Sequence, residues 1–96
     1  MEVIFTPAAQ DELADAQDWY EIRQAGLGTI FREQDGTTVV RLRENPYQFP
    51  MVFRNVHRAR LRKFSYALFF WIETDTIVVI ACFHGSRDPK RWERRM

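Results

Sequence analysis

The run Ala67-Leu-Phe-Phe-Trp-Ile-Glu-Thr-Asp-Thr-Ile-Val-Val-Ile-Ala-Cys-Phe83 decides the fold. It holds two blocks, 67–73 and 76–83, that are apolar at odd and even positions alike and rich in β-branched and aromatic residues. A strand that is apolar on both faces is covered on both, so the two blocks predict central strands of a sheet. The two-residue gap Thr74-Asp75 leaves room only for a tight turn, which makes the pair an antiparallel hairpin. Moving toward the N-terminus, residues 51–55 and 59–64 supply two further strand-like segments after Pro50. From just ahead of the second of these, Arg58, Arg60 and Arg62 alternate with Ala59 and Leu61, which gives one cationic face.

The first half has a different period. Residues 1–5 alternate apolar and polar up to Thr6-Pro7, predicting a short strand Glu2–Phe5. Thr6 then caps a helix with Pro7 at its first position, where a missing N–H costs nothing. Ala9, Leu13, Ala16 and Tyr20 recur at helical spacing, and Ala25-Gly26 ends the helix. Beyond it, Leu27, Phe31, Val39 and Leu42 predict a second helix up to Asn45-Pro46. Asp35 falls on that apolar stripe, however, and Gly36 costs about 1 kcal/mol relative to Ala inside a helix. Asp35-Gly36 is also a type I′ turn signal that can lead into a strand over 37–40, so helix and hairpin both stand at this point. At the other end, Asp88-Pro89 predicts a short basic helix over 90–95, with Trp92 packing it on the sheet. Trp19 and Trp71 are likewise expected to pack.

With 96 residues the chain has the length of one domain, and 46% apolar with 15% aromatic residues excludes a disordered or low-complexity chain. The runs 67–72 and 77–83 are far shorter than the roughly 20 residues that span a bilayer. Residues 1–5 lack a basic start, so the expectation is a cytoplasmic, soluble protein. Cys82, the single cysteine, sits among apolar residues and reads as a reduced, buried thiol. Two histidines and one cysteine without ligand spacing predict no metal site, and no cofactor motif is present. The net charge of +1 hides an asymmetry: residues 1–50 carry four Arg against nine acidic residues, whereas residues 51–96 carry ten basic against four acidic ones. Twelve of the fourteen cations are Arg, whose planar fork suits phosphate or carboxylate, so the basic half points to an anionic partner.

His84 follows on the last strand and opens His84-Gly-Ser-Arg87-Asp-Pro89. A histidine that moves a proton near neutral pH, with an arginine to stabilise a pentacoordinate phosphorus, is the minimum for cleaving RNA by its own 2′-OH. Equally, His84 can terminate the strand by hydrogen bonds while Arg87 pairs with Asp88 or Glu93. Tyr66 can donate a phenolic proton, stack on a base or simply fill the core. His57, beside Arg58, reads as an exposed turn residue. The arginine ladder fits a polyanion, but it also fits a solvated edge strand that resists aggregation.

These pieces occur in an informative order. Arg58-Ala-Arg-Leu-Arg-Lys-Phe64-Ser-Tyr66, an aromatic strand, Ile77-Val-Val-Ile-Ala-Cys-Phe-His84-Gly-Ser-Arg87-Asp-Pro89 and Trp92-Glu-Arg94 resemble the RelE/ParE superfamily of toxins from bacterial type II toxin–antitoxin systems. Pro7-Ala-Ala, Glu12-Leu13, Trp19-Tyr20, Gly26-Leu-Gly28, Phe31 and Asn45-Pro46 are similar to the helical hairpin of that family, so the likeness spans the chain. It implies an α+β fold: an N-terminal strand, a two-helix hairpin packed on a twisted antiparallel sheet, and a short C-terminal helix. It also favours the helix across 27–44. Ser65 stands where many relatives carry Pro, and Asp35-Gly36 interrupts their usual apolar pattern.

The resemblance further implies a growth-inhibiting toxin, of the kind linked to plasmid stabilisation, neutralised by a cognate acidic, partly disordered antitoxin. Operator DNA would be reached only through that antitoxin. RelE-like members resemble ribosome-dependent messenger RNA nucleases, which would make His84, Arg87, Arg62, Lys63 and Tyr66 catalytic. ParE-like members resemble DNA gyrase poisons that need no acid–base machinery. The modest overall charge and the Arg87-Asp-Pro extension lean toward the ParE branch. In either case Arg58, Arg60, Arg62, Arg91 and Arg94 are the expected partner- or nucleic-acid-binding residues. A member that has lost toxicity and only binds its partner is the third possibility.

Overall fold

The structure, a computed structural model, describes residues 1–84. In chain order it has β1 (Glu2–Phe5), α1 (Pro7–Arg23), α2 (Leu27–Glu44), a single 3₁₀ turn at Pro46–Gln48, β2 (Met51–Phe53), β3 (Val56–Arg60), β4 (Tyr66–Glu73) and β5 (Thr76–His84). The five strands form one sheet in the order β1-β5-β4-β3-β2. β2 to β5 run antiparallel to their neighbours, whereas β1 pairs parallel with β5, from Glu2 opposite Thr76 to Phe5 opposite Val79. The sheet is therefore mixed, and its first strand is laid down beside its last. The predicted terminal helix over 90–95 lies outside the described residues.

Local chemistry sets the helices. Thr6 is extended, and its hydroxyl accepts the Ala9 N–H at 3.2 Å, while its own N–H donates to Val79 O at 3.0 Å. One residue thus caps α1 and ties it to the sheet. Gly26, at φ 90°, makes the left-handed turn between the helices. Over this turn the Glu21 carboxylate accepts the N–H groups of Gly26 and Gly28, at 2.9 and 3.0 Å, and so satisfies donors at the start of α2. Gly28 is held so closely that an added Cβ would sit 2.8 Å from Gln17 O on α1.

α2 runs unbroken through Asp35-Gly36, which decides for the helix and against the hairpin. Its buried positions, Gly28, Phe31, Asp35, Thr38 and Leu42, follow a strict three-four spacing. The gain from burying Phe31 and Leu42 outweighs the helix penalty of one exposed glycine, so tertiary packing overrides the local turn signal.

The sheet divides the apolar residues into two layers. On the helix side, Ala9, Leu13, Ala16, Phe31, Leu42, Leu68, Phe70, Ile77, Val79 and Cys82 form the main core. On the other side lie Val56, Ala67, Phe69, Ile80, Ala81 and Phe83. Alternation along β5 is interrupted once: Phe69 faces Ala81 but Phe70 faces Val79, so Ile80 is an extra residue. This bulge places Ile80 and Ala81 in the same layer and returns Cys82 to the helix side. The Cys82 N–H then donates to Glu12 Oε1 on α1 at 3.2 Å.

Two local expectations need correction. The third strand was expected over 59–64 and instead spans Val56–Arg60, with a turn over 61–65. Residues 59–62 alternate apolar and basic like a strand, but Leu61 and Phe64 are buried in that turn, and Lys63 takes φ 68°, which breaks the extended path. Trp19, expected to pack, is 47% exposed, and the Arg23 guanidinium lies over its ring at 3.9 Å.

Candidate functional site at the end of the sheet

Tyr66 opens β4 and His84 closes β5, and the register sets them directly opposite each other. Their rings meet edge to face, with centroids 5.8 Å apart, on the helix side of the sheet. Tyr20 of α1 reaches the same corner, with its ring 5.9 Å from Tyr66, 4.8 Å from Phe64 and 5.3 Å from Phe31. Burial, and secondarily the neighbouring Tyr66, push the Tyr20 phenol above its ordinary value, so it is a neutral hydroxyl at physiological pH. Tyr66 and His84 are both half-buried, an aromatic pair at the end of the two central strands. Sequence reading placed Tyr20 in the core by its spacing; its contact with Tyr66 depends on how α1 crosses the sheet and has no local signal.

The arginines are distributed differently from the predicted ladder. Arg58 and Arg60 alternate with His57 and Ala59 in β3, opposite Phe69 and Ala67, which puts them on the sheet face away from Tyr66 and His84. Arg60 is exposed, whereas Arg58 is half-buried and its Nε has no acceptor among the described residues. Arg62 lies beyond β3, next to Lys63 in the turn, with both side chains exposed, so the ladder has two rungs rather than three. Arg87, Arg91 and Arg94 lie outside the described residues.

His57 is also not an exposed turn residue. It is 7% exposed within β3, stacks on Phe70 with centroids 5.0 Å apart, and its Nδ1 lies 2.8 Å from Phe49 O. A carbonyl can only accept, so Nδ1 carries the proton and the ring serves packing. No cluster of three metal-ligating side chains occurs among the described residues. No helix among them is long and apolar enough to cross a membrane.

A strand, a helical hairpin and a four-strand antiparallel run closed by the first strand define the α+β architecture of the RelE/ParE toxins. The sequence model for the ParE toxin of the type II toxin–antitoxin system parDE matches residues 3–89, and the chain belongs to that family. Among solved structures it is similar to a chain of the chromosomal ParDE toxin–antitoxin system from P. aeruginosa, with TM-score 0.74 and 17% identity over 88% of this chain and 95% of that one. It is also similar to a chain of the intact E. coli RelBE toxin–antitoxin complex, with TM-score 0.63 and 20% identity over 90% of this chain and 98% of that one. No curated protein sequence matches it.

Proposed function

We propose that this toxin arrests growth by inhibiting DNA gyrase and is held inactive by a cognate acidic, partly disordered antitoxin. The match to the ParE family over residues 3–89 carries this reading. Arg58 and Arg60 share the face opposite Tyr66 and His84, a cationic surface apart from that aromatic corner. A disordered acidic segment folds onto such a surface and masks its cations, and that association weakens as salt rises.

The test is a supercoiling assay with purified gyrase. Wild-type protein is expected to block supercoiling, and the antitoxin, sought in the neighbouring reading frame, to restore it. The Tyr66–His84 contact favours a second reading, a ribosome-dependent messenger RNA endonuclease using His84, Arg87, Arg62, Lys63 and Tyr66. Messenger cleavage on ribosomes that is lost in His84→Gln and Arg87→Ala, with supercoiling untouched, would replace the gyrase reading by the nuclease. Growth that continues during soluble expression without antitoxin would leave only a binding role.

A further inference from the structure

A cleft of about 590 Å³ opens beside β1, between that edge strand and both helices, and is lined by Val3, Phe5, Leu13, Gln10, Arg32 and Asp35. Asp35 is only 9% exposed, and its Oδ1 has no hydrogen-bond donor among the described residues. The nearest cation, Arg32, is one turn earlier on α2 and donates its Nε to Gln17 Oε1. We propose that this cleft receives a basic side chain, Lys or Arg, from a protein partner, with Asp35 as the residue that recognises its charge. That the partner is the antitoxin rests on the function proposed above; the chemistry of the cleft does not.

Two observations converge. Val3, Phe5 and Leu13 provide apolar wall for an aliphatic stem, the part of Lys or Arg that favours such surface. On the same wall sits the Asp35 carboxylate, whose burial Arg32 offsets only in part, and a buried acceptor left without a donor is costly. A cation entering the cleft with its own donors offsets the charge of that carboxylate. An apolar side chain in the same place would seal the carboxylate from water and raise the cost further, so the cleft discriminates by charge as well as by shape.

The experiment uses the purified full chain, made by cell-free synthesis and labelled with ¹⁵N, titrated with acetyl-Leu-Arg-Leu-amide or its citrulline counterpart, which keeps the shape and removes the charge. The arginine peptide is expected to shift the resonances of Val3, Phe5, Leu13 and Asp35 and to bind about tenfold more tightly than the citrulline peptide, the equivalent of roughly one charged hydrogen bond. Asp35→Asn should abolish that preference. A second measurement needs no variant: the preference should shrink from pH 7 to pH 5 as the carboxyl takes up a proton. The charged and titratable groups facing Asp35 are Arg32 on α2 and Cys82 on β5, and Glu12 on α1 acts on the same thiol. Equal binding of both peptides, shifts confined to other surfaces, or a preference retained by Asp35→Asn would each overturn the proposal. Growth arrest and gyrase inhibition are scored separately on wild type, so loss of the antitoxin reading leaves this result interpretable.

Discussion

Glu21 Oε1 accepts the Gly28 N–H at 3.0 Å, across a turn whose closest backbone approach is at Gly28 itself. The carboxylate does for α2 what an N-cap side chain ordinarily does, but from the last turn of the preceding helix. The angle of the hairpin and the capping of its second helix are thus one interaction. Glu21→Ala should lower stability by about 1–2 kcal/mol. Gly28→Ala should cost at least about 2 kcal/mol, because its methyl group would meet backbone on α1. Urea unfolding followed by far-UV circular dichroism measures both; a Gly28→Ala variant as stable as wild type would contradict the close approach.

Gly36 behaves oppositely. It lies mid-helix with ordinary dihedrals, and nothing stands within 4 Å of an added Cβ. Gly36→Ala is therefore expected to stabilise the protein by about 0.5–1 kcal/mol. If 35–36 formed a turn instead, the same substitution would destabilise.

Asp35 makes stability depend on pH in an unusual direction. Burial, only partly offset by Arg32, raises its carboxyl from 3.8 to about 6. The folded state therefore binds a proton more tightly than the unfolded one. The contribution of this site to stability is complete below about pH 4 and is lost as pH rises through about 6. Asp35→Asn should gain on wild type by roughly 2 kcal/mol between pH 4 and pH 7, after allowance for the water the group still reaches. Parallel denaturation series across that range would show it; a constant difference would disprove the shift.

Cys82 should be inert while the chain is folded. Burial, then the carboxylates of Asp35 and Glu12, push its thiol up to about 12, and the side chain is 1% exposed. The thiolate is the reactive form, so labelling by a disulfide reagent at pH 8 is expected to proceed only through unfolding and to become immediate in guanidinium chloride. Rapid labelling of native protein would refute this.

Much of the architecture is legible in the sequence because local and global signals agree there. The double-sided apolar blocks at 67–73 and 76–83, the Thr6-Pro7 cap and the spacing of Ala9, Leu13 and Ala16 each have one physical solution. The features that escape are those set by tertiary contact. Leu61 alternates with its arginine neighbours like a strand residue yet is buried in a turn, and His57 looks solvent-loving yet stacks on Phe70. The bulge at Ile80 shifts which residues share a face without any glycine to announce it. Of the candidate site, the pairing of Tyr66 with His84 escapes for the same reason: the register that starts with Glu73 opposite Thr76 would by itself set Tyr66 opposite Phe83, and the bulge moves its partner to His84. The separation of Arg58 and Arg60 from that pair does not follow, because it depends on where β3 begins.

The parallel seam between β1 and β5 has a consequence for how the protein comes into being. Residues 2–5 hydrogen-bond with residues 76–79, so β1 finds its neighbour among the described strands only after both helices and the three strands before β5 have been made. Until then the inner side chains Val3 and Phe5 have no strand to lie beside. Assembly is a late closure of β1 upon β5, and a fragment that stops short of residue 76 cannot complete it.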